Sequence, residues 1–461
     1  MIPENQQRGN FGGKVGFILA AAGSAIGLGN IWRFPYTAGE HGGGAFVLVY
    51  LAFVVLVGIP VLLAELSIGR ASQRNPVGAF RVLAPRTWWP AVGALGVVTG
   101  FAILAFYSVV AGWTVGYLVK AMRGDFAAGI TASESAAQFQ ALIGNPGLAI
   151  ALTAVFMVLT VGVIQFGVGE GIERFSKVLM PAFFVLLLLL AGRSLTLPGA
   201  GAGLRFLFHF DPSQLTIPVI MGALGQALFS LSLGMGCMIT YGSYLPRREN
   251  LPFAAVSVAF FDTLIALLAG IIIFPALFTA GADPAGGAGL VFIAMPTVFD
   301  SLPAGQLFAV AFYALLAIAA LTSTISLLEV VVAYFVDEKG WPRAAVAWGI
   351  GFLCFLLAIP SALSQGAVPA LSGGEGSLLP LSFLDLNNIL FGNYGLTFGS
   401  LLISLFVGWK WGTRAALEEM KRGAGTDRAW WHAAWAFLVR FVCPVAIVLI
   451  FVFILWTGEY F

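Results

Sequence analysis

Three carboxyl groups stand inside long apolar stretches of this sequence, at Glu65, Asp262 and Glu329. A carboxylate exposed to lipid costs at least ~2.5 kcal/mol, so each is expected to face the protein interior and to have a partner. Asp262, followed by Thr263, is a natural ligand for a hard cation. A hydrogen bond to a neighbouring helix would also explain Asp262, and for Glu65 that structural explanation is the stronger one.

Thr322, Ser323 and Thr324 place three adjacent hydroxyl groups in another apolar stretch. Such oxygen atoms can bind a cation such as Na⁺. Hydroxyl groups in membrane helices also commonly bond back to the carbonyl group four residues earlier. The sequence leaves both interpretations open.

Two apolar segments are interrupted by glycine and small hydroxyl residues, GSAIGLGN at 23–30 and SLSLGMG at 230–236. In hydrocarbon, backbone groups freed by a helix break need partners, so a break survives where it lines a cavity or a ligand. Free N–H groups at a helix start suit a carboxylate, and free C=O groups suit a cation. Close helix packing through small residues is the alternative explanation.

These features lie in a chain of 461 residues that is 59% hydrophobic and 10% charged. A soluble domain has roughly 25% charged residues, so the composition excludes a soluble enzyme and indicates a helical membrane protein. The 23 Lys and Arg residues are too few and too scattered to follow a phosphate backbone, which argues against nucleic acid as a partner. The three Cys and three His residues have no metal-ligand spacing.

Eleven apolar runs are long enough to cross the roughly 30 Å of hydrocarbon in a bilayer. They lie at 14–38, 44–68, 91–119, 146–165, 172–193, 216–243, 252–281, 305–335, 343–360, 383–409 and 433–457. The interrupted segments open two sets of five spans, about 14–193 and 216–409, with an extra helix at about 433–457. Paired interruptions at corresponding positions are typical of a binding site in a transporter built from inverted repeats.

Most of the 23 Lys and Arg residues fall on one side of this arrangement. The positive-inside rule then predicts a cytoplasmic N-terminus and a C-terminus outside. The first apolar run contains Asn30 and Arg33 and has no small-residue cleavage site, so it is predicted to be a retained helix rather than a signal peptide. A multi-pass protein of the cell (inner) membrane, surrounded by the lipid bilayer, is therefore expected.

The stretch GSAIGLGNIWRFP at 23–35 resembles the neurotransmitter:sodium symporter family, whose members have a LeuT-type fold. Further matching motifs are GGGAF at 42–46, GIP at 58–60, GIERF at 171–175, FSLSLG at 229–234 and AALTS at 319–323. The resemblance implies an all-α polytopic membrane protein with inverted five-helix repeats and discontinuous helices 1 and 6. This sequence has eleven predicted transmembrane helices, whereas family members usually have twelve.

The resemblance also implies two sodium sites and a pocket for an amino-acid substrate. One sodium site would be formed by Ala25, Asn30, Ser230 and Asp262, completed by the substrate carboxylate. The other would be formed by Gly23, Ile26, Ala319, Thr322 and Ser323. The substrate would be bound by Ala25, Gly27, Leu28, Gly29, Ile103, Tyr107, Phe229, Ser230, Ser232, Met235, Ser323 and Leu327.

An extracellular gate is implied around Arg33, with Phe229 as the lid over the pocket. In relatives the Arg33 position pairs with an acid of the tenth helix. Asn388 occupies that place here, one turn beyond Asp385. The partner of Arg33 is therefore left open.

A cytoplasmic gate is implied by Arg8 and Asp337, which resemble an ion pair of the family. Phe11 stands where the family usually has Trp. A weaker plug of the cytoplasmic side is expected from that change.

Two positions bear on which substrates and ions are used. Asp262 stands where many members carry Asn, so its charge is expected to replace the chloride of chloride-dependent relatives. Gly27 stands where amine transporters of the family place Asp, so the site would rely on the substrate's own carboxylate. The resemblance thus implies a sodium-coupled symporter that imports a neutral, mostly hydrophobic L-amino acid by alternating access. Chloride independence is expected, and proton antiport during the return step is a further hypothesis.

Two functions of other classes are the alternatives to this one. An intramembrane hydrolase would need a nucleophile with a base in reach, and none of the three His residues is in the middle of a span. A receptor or sensor with the same fold would bind the same ligand without moving it. Uptake into vesicles separates a transporter from a receptor, whereas binding does not.

Overall fold

Apolar stretches of this chain form helical spans, because in hydrocarbon each backbone N–H and C=O group has to be paired within its own segment. The computed structural model describes residues 11–126, 129–285, 289–300, 302–374, 377–423 and 429–458, and in these ranges it contains helices and no β-strand. The continuous spans among the described residues are Gly44–Ser72 (span 2), Pro90–Arg123 (span 3), Pro146–Ile164 (span 4), Val168–Ser194 (span 5), Leu251–Ala280 (span 7), Gly305–Lys339 (span 8), Arg343–Leu363 (span 9), Phe383–Lys410 (span 10) and Trp430–Thr457 (span 11).

The two remaining spans are each broken in the middle. Span 1 consists of Val15–Ala25 and Gly29–Glu40, which are bent by 49° relative to each other. Span 6 consists of Ile217–Ser230 and Cys237–Ser243. Together with the nine continuous spans these give the arrangement expected from the sequence, and the predicted all-α fold class with discontinuous helices 1 and 6 is confirmed.

The break in span 6 is built on left-handed backbone. The φ angle is +53° at Ser232, +77° at Gly234 and +79° at Gly236. Glycine adopts this region without a steric penalty, whereas a serine there is strained, as residues at ligand sites often are. The break in span 1 has a different cause, because Ile26 is extended, with φ −72° and ψ 108°.

Span 2 and the second half of span 6 touch backbone to backbone. A Cβ atom at Gly69 would collide with the carbonyl oxygen of Ile239, and one at Gly242 would lie 2.6 Å from the carbonyl oxygen of Leu66. Small residues permit this close approach of membrane helices. The two segments therefore pack as one unit beside the break.

In the described ranges, five short α-helices connect the spans and are absent from the span prediction. They are Pro76–Leu83, Ala132–Ile143, Ala200–Phe208, Met295–Asp300 and Thr413–Lys421. Each is too short to cross a bilayer, so a search for long apolar runs does not detect them.

A buried ion pair fastens the last of these short helices to the end of span 2. Arg70 is fully buried, and its Nε donates to Glu419 Oε1 at 2.8 Å. Its Nη1 donates to the carbonyl oxygen of Glu249 at 2.7 Å, and its Nη2 donates to the carbonyl oxygen of Glu419. Arg422 also contacts the Glu419 carboxylate, at 3.0 Å. The guanidinium group thus joins three separate parts of the chain.

Removing the carboxylate should destabilise the protein. Glu419→Ala leaves the Arg70 guanidinium buried without its counter-charge, and the expected loss is about 3–5 kcal/mol of unfolding free energy. The matched control is Glu170→Ala, because Glu170 pairs with Arg174 at an exposed position and such pairs contribute at most about 1 kcal/mol. Thermal unfolding in detergent measures both. Equal effects of the two variants would contradict the structural role given to Arg70.

Candidate functional site

The breaks of spans 1 and 6 face spans 3 and 8 around a small cavity of about 340 Å³. The small cavity is lined by Ser24, Ala25, Gly27, Gly29, Ile103, Tyr107, Phe229, Ser232, Met235, Ser323, Ser326 and Leu327. Of the residues predicted to bind the substrate, Leu28 and Ser230 are not part of this lining. Leu28 lines a second cavity that Phe229 also lines, and Ser230 faces Asp262.

Backbone groups released by the break in span 1 point at polar side chains. The Leu28 N–H donates to the Tyr107 hydroxyl oxygen at 2.9 Å, and the Gly27 N–H donates to Asn30 Oδ1 at 3.0 Å. The Ser232 hydroxyl donates to the Ser24 carbonyl oxygen at 3.1 Å. Amide groups at the start of a half-helix suit an anionic group. The small cavity therefore has a polar end at the break and an apolar wall opposite.

Two glycines keep the small cavity open. A Cβ atom at Gly27 would meet the Ser323 hydroxyl and lie 2.8 Å from the Tyr107 hydroxyl oxygen. At Gly29 it would lie 3.1 Å from the ring of Phe229. A side-chain carboxylate at position 27 would have to displace the Ser323 and Tyr107 hydroxyl groups.

Three of the residues assigned to the first sodium site are joined by hydrogen bonds. Asn30 Nδ2 donates to Asp262 Oδ1 at 2.7 Å. The Ser230 hydroxyl lies 2.9 and 2.8 Å from the two carboxylate oxygens. Tyr50 adds a longer contact of 3.4 Å to Oδ2. Asp262 is fully buried, and Ala25, the fourth residue, lines the adjacent small cavity.

The residues assigned to the second sodium site also lie together. The Thr322 hydroxyl donates to the Ala319 carbonyl oxygen at 2.9 Å and lies 3.3 Å from the Ile26 carbonyl oxygen. The Ser323 hydroxyl lies 3.4 Å from the same Ile26 oxygen. A Cβ at Gly23 would be 3.5 Å from Thr322 Cβ. These contacts agree with both interpretations of the hydroxyl groups. The Thr322 hydroxyl hydrogen-bonds to its own helix, and it also faces the break in span 1.

The chemistry of both sets fits a hard monovalent cation. Their donors are carbonyl, hydroxyl and carboxylate oxygen atoms, which suit hard ions rather than soft ones. Among the residues that the structure describes, no group of three or more His, Cys, Asp or Glu residues could hold a metal ion.

Phe229 separates the small cavity from a large cavity of about 990 Å³. Its ring lines both, and the guanidinium carbon of Arg33 lies 4.3 Å from the ring centroid. The large cavity is lined by Arg33, Asp385 and Asn388, so the three residues of the predicted extracellular gate share one space. The Asp385 carboxylate accepts a hydrogen bond from the Ser382 hydroxyl at 2.6 Å.

The opposite end of the bundle is closed by Phe11. This ring is 2% exposed and makes edge contacts to Phe17, Tyr241 and Tyr244. Arg8 lies outside the described residues, so its predicted pairing has no structural account. Its predicted partner Asp337 accepts a hydrogen bond from the Asn75 backbone N–H at 2.9 Å.

The other two intramembrane acids also have partners. Glu65 Oε1 accepts the Gly234 N–H at 2.7 Å, inside the break of span 6. Glu329 accepts a hydrogen bond from the Tyr244 hydroxyl at 2.6 Å and forms an ion pair with Arg343. Both therefore hold helices together.

Comparison with known proteins places this arrangement in a class. The sequence matches the Sodium:neurotransmitter symporter family over residues 8–132 and 133–459. The chain belongs to this family, which consists of sodium-dependent transporters and not of enzymes. It is a multi-pass membrane protein that uses Na⁺ for symport.

Individual relatives cover almost the whole chain. The sodium-dependent transporter YhdH of Bacillus subtilis is 42% identical, over 95% of this chain and 96% of its own length. A sodium-dependent transporter of Haemophilus influenzae is 34% identical, over 98% and 99%. The crystal structure of MhsT in complex with L-phenylalanine superposes with a TM-score of 0.88, at 46% identity, over 97% of this chain and 99% of that one.

Sequence reasoning missed two residues that line the small cavity, Ser24 and Ser326. Both had a signal. Ser24 directly follows Gly23 at the break, and Ser326 lies three residues after Ser323, on the same helix face.

The hydroxyl groups of span 8 give a direct test of the second sodium site. Removing both oxygens in the double variant Thr322→Ala/Ser323→Ala should weaken Na⁺ binding about tenfold or more, which is ~1.4 kcal/mol. The control is Thr324→Ala, because the Thr324 hydroxyl bonds to Leu321 and Thr160, away from the break. The Na⁺ dependence of uptake is the measurement. An unchanged dependence in a normally expressed double variant would mean that these hydroxyls serve the helix alone.

Proposed function

We propose that this chain imports a neutral, mostly hydrophobic L-amino acid together with two Na⁺ ions by alternating access. The observation that carries the proposal is the small cavity, which has backbone amides and the Tyr107 hydroxyl at one end. Its opposite wall is apolar, with Ile103, Phe229, Met235 and Leu327. A zwitterion with an apolar side chain complements both ends. The occurrence of L-phenylalanine in the MhsT structure supports the same ligand class.

Two Na⁺ ions supply enough free energy for accumulation. Each ion that moves inward down ~100 mV and a tenfold gradient releases roughly 2.3 plus 1.4 kcal/mol. Two ions then support about five decades of accumulation of a zwitterion. In this proposal, the residues around Asp262 form one sodium site and the residues around Thr322 form the other.

Two aromatic side chains control access to the small cavity. Phe229 covers the small cavity toward the large one, which we assign to the extracellular side, and Phe11 closes the other end, which we assign to the cytoplasm. Spans 1–5 (about 14–193) and spans 6–10 (about 216–409) act as the two repeats whose relative motion exchanges these closures. The proposed location is the cell membrane, with the N-terminus inside and the C-terminus outside.

Asp262 is proposed to make chloride unnecessary. Its carboxylate is bonded to Asn30 and Ser230 of the first sodium site and has Tyr50 beside it. A fixed anion a few Å from Na⁺ in a low dielectric compensates the cation charge. When Na⁺ leaves, a bare buried carboxylate is unfavourable. A proton is the simplest replacement, so proton antiport on the return step is part of the proposal.

The substrate class is tested by uptake into proteoliposomes with and without a Na⁺ gradient. Radiolabelled Leu uptake should need the gradient, and unlabelled Ile, Val, Met and aromatic amino acids should compete with it, since Met235 can repack around side chains of different size. A receptor of the same fold would bind Leu without accumulating it. Displacement of Leu by a monoamine of comparable affinity would contradict the reliance on a substrate carboxylate.

The charge at Asp262 is tested by replacing chloride with gluconate at constant Na⁺. Uptake by the unaltered protein should persist. Asp262→Asn should weaken uptake and make the remainder respond to chloride, because the fixed anion is then absent. If uptake by the unaltered protein collapsed in gluconate, the proposed role of Asp262 in replacing chloride would be excluded.

A further inference from the structure

The inward face of span 10 carries polar side chains that the transport site does not use. Asn393, Thr397, Ser400 and Ser404 follow one another at intervals of four, three and four residues, which places them on one side of the helix. Each is at most 1% exposed. The segment Leu396–Leu405 packs against spans 2, 3, 6 and 11. These four side chains are called the span 10 polar face.

The span 10 polar face is not satisfied by protein atoms. Within the described ranges, Asn393 Nδ2 and the three hydroxyl oxygens of the face have no hydrogen-bond partner. The hydroxyl of Thr99 in span 3, which lies against Gly395, is in the same situation. Single hydroxyls without a partner among the described residues occur at scattered positions such as Thr37 and Ser361, whereas several buried hydroxyls in other spans bond back to their own helix, as Thr153 does to the Ala149 carbonyl oxygen at 2.8 Å. The side chains of the face turn away from that arrangement.

One part of the face lies at the break of span 6. A Cβ atom at Gly234 would lie 2.7 Å from the Ser400 hydroxyl oxygen and would collide with the Leu396 carbonyl oxygen. The Gly234 N–H donates to Glu65 Oε1, while Oε2 of the same carboxyl group has no partner among the described residues. Unsatisfied oxygens of Ser400 and Glu65 therefore flank the same glycine.

The other end of the face leads to the large cavity. Asn388 lines that cavity and begins a π-helical segment, Asn388–Gly395. In a π-helix the hydrogen bonds join residues five apart, so Asn388 and Asn393 lie near one another along the helix. A row of polar groups thus runs from the large cavity to Glu65.

We propose that the span 10 polar face binds a file of water molecules that runs from the large cavity to Glu65 and the break of span 6. Burying hydroxyl and amide groups without partners is unfavourable. Ordered buried water usually makes about three hydrogen bonds to such groups. The break also favours water, because non-helical backbone at membrane depth is tolerated where it is buried in protein or lines a water-filled cavity.

Thiol accessibility tests the file directly. Ser400→Cys and Thr397→Cys are exposed to Ag⁺ in chloride-free medium in proteoliposomes, and the remaining thiols are counted after unfolding. The control is Thr153→Cys, since Thr153 is 1% exposed in span 4 and its hydroxyl bonds back to the Ala149 carbonyl oxygen. The three native cysteines are buried, and the unsubstituted protein gives their background. Both variants should react about tenfold or more faster than Thr153→Cys. Rates equal to the control would overturn the proposal.

A stability measurement covers the case in which a cysteine variant folds poorly. Thr397→Val keeps the shape of the side chain and removes its hydroxyl group. If water is bound there, the change removes one hydrogen-bond partner of that water and lowers Tm. If the face is dry, the change removes an unpaired buried hydroxyl group and raises Tm, which would contradict the proposal. Thr153→Val, which removes a hydroxyl group bonded to Ala149, gives the scale of an ordinary loss.

Discussion

Backbone groups that leave a helix inside hydrocarbon must find other partners, and this requirement organises the centre of the molecule. Spans 1 and 6 both leave the helix at mid-length, and side chains from neighbouring spans receive the released groups. Tyr107 accepts the Leu28 N–H, and Glu65 accepts the Gly234 N–H. Gln226 donates to the Gly29 carbonyl oxygen at 2.8 Å. The small cavity proposed to bind the substrate lies between these substitute partners.

Buried charges divide into two kinds in this structure. Arg70 and Glu329 each face an opposite charge, in Glu419 and Arg343, and these pairs hold segments in fixed positions. Asp262 is held by neutral donors instead. An anion held by neutral groups in a low dielectric attracts a cation strongly. Glu65 is likewise held by a neutral donor, the Gly234 N–H, so Asp262 is distinguished by its position beside Asn30 and Ser230 of the proposed sodium site.

The sequence was sufficient for the spans, because long apolar runs and glycine-rich interruptions have direct physical meaning in a bilayer. It was also sufficient to group Asn30, Ser230 and Asp262, although only by resemblance, since residues of three different spans share no local pattern. The ion pair between Arg70 and Glu419 could not be predicted, because the sequence around neither residue specifies a contact with a residue 349 positions away. The short connecting helices were missed because none of them has an apolar run long enough to cross a bilayer.

The absence of a side chain at position 27 also limits how this protein could change during evolution. An acidic residue there would have to appear in a space already occupied by the Tyr107 and Ser323 hydroxyl groups. Both hydroxyl groups are at the ends of side chains, so they would have to shift to make room for it. A lineage moving toward ligands without a carboxylate would therefore have to rearrange these two neighbours together with position 27. The packing around one glycine thus links three positions.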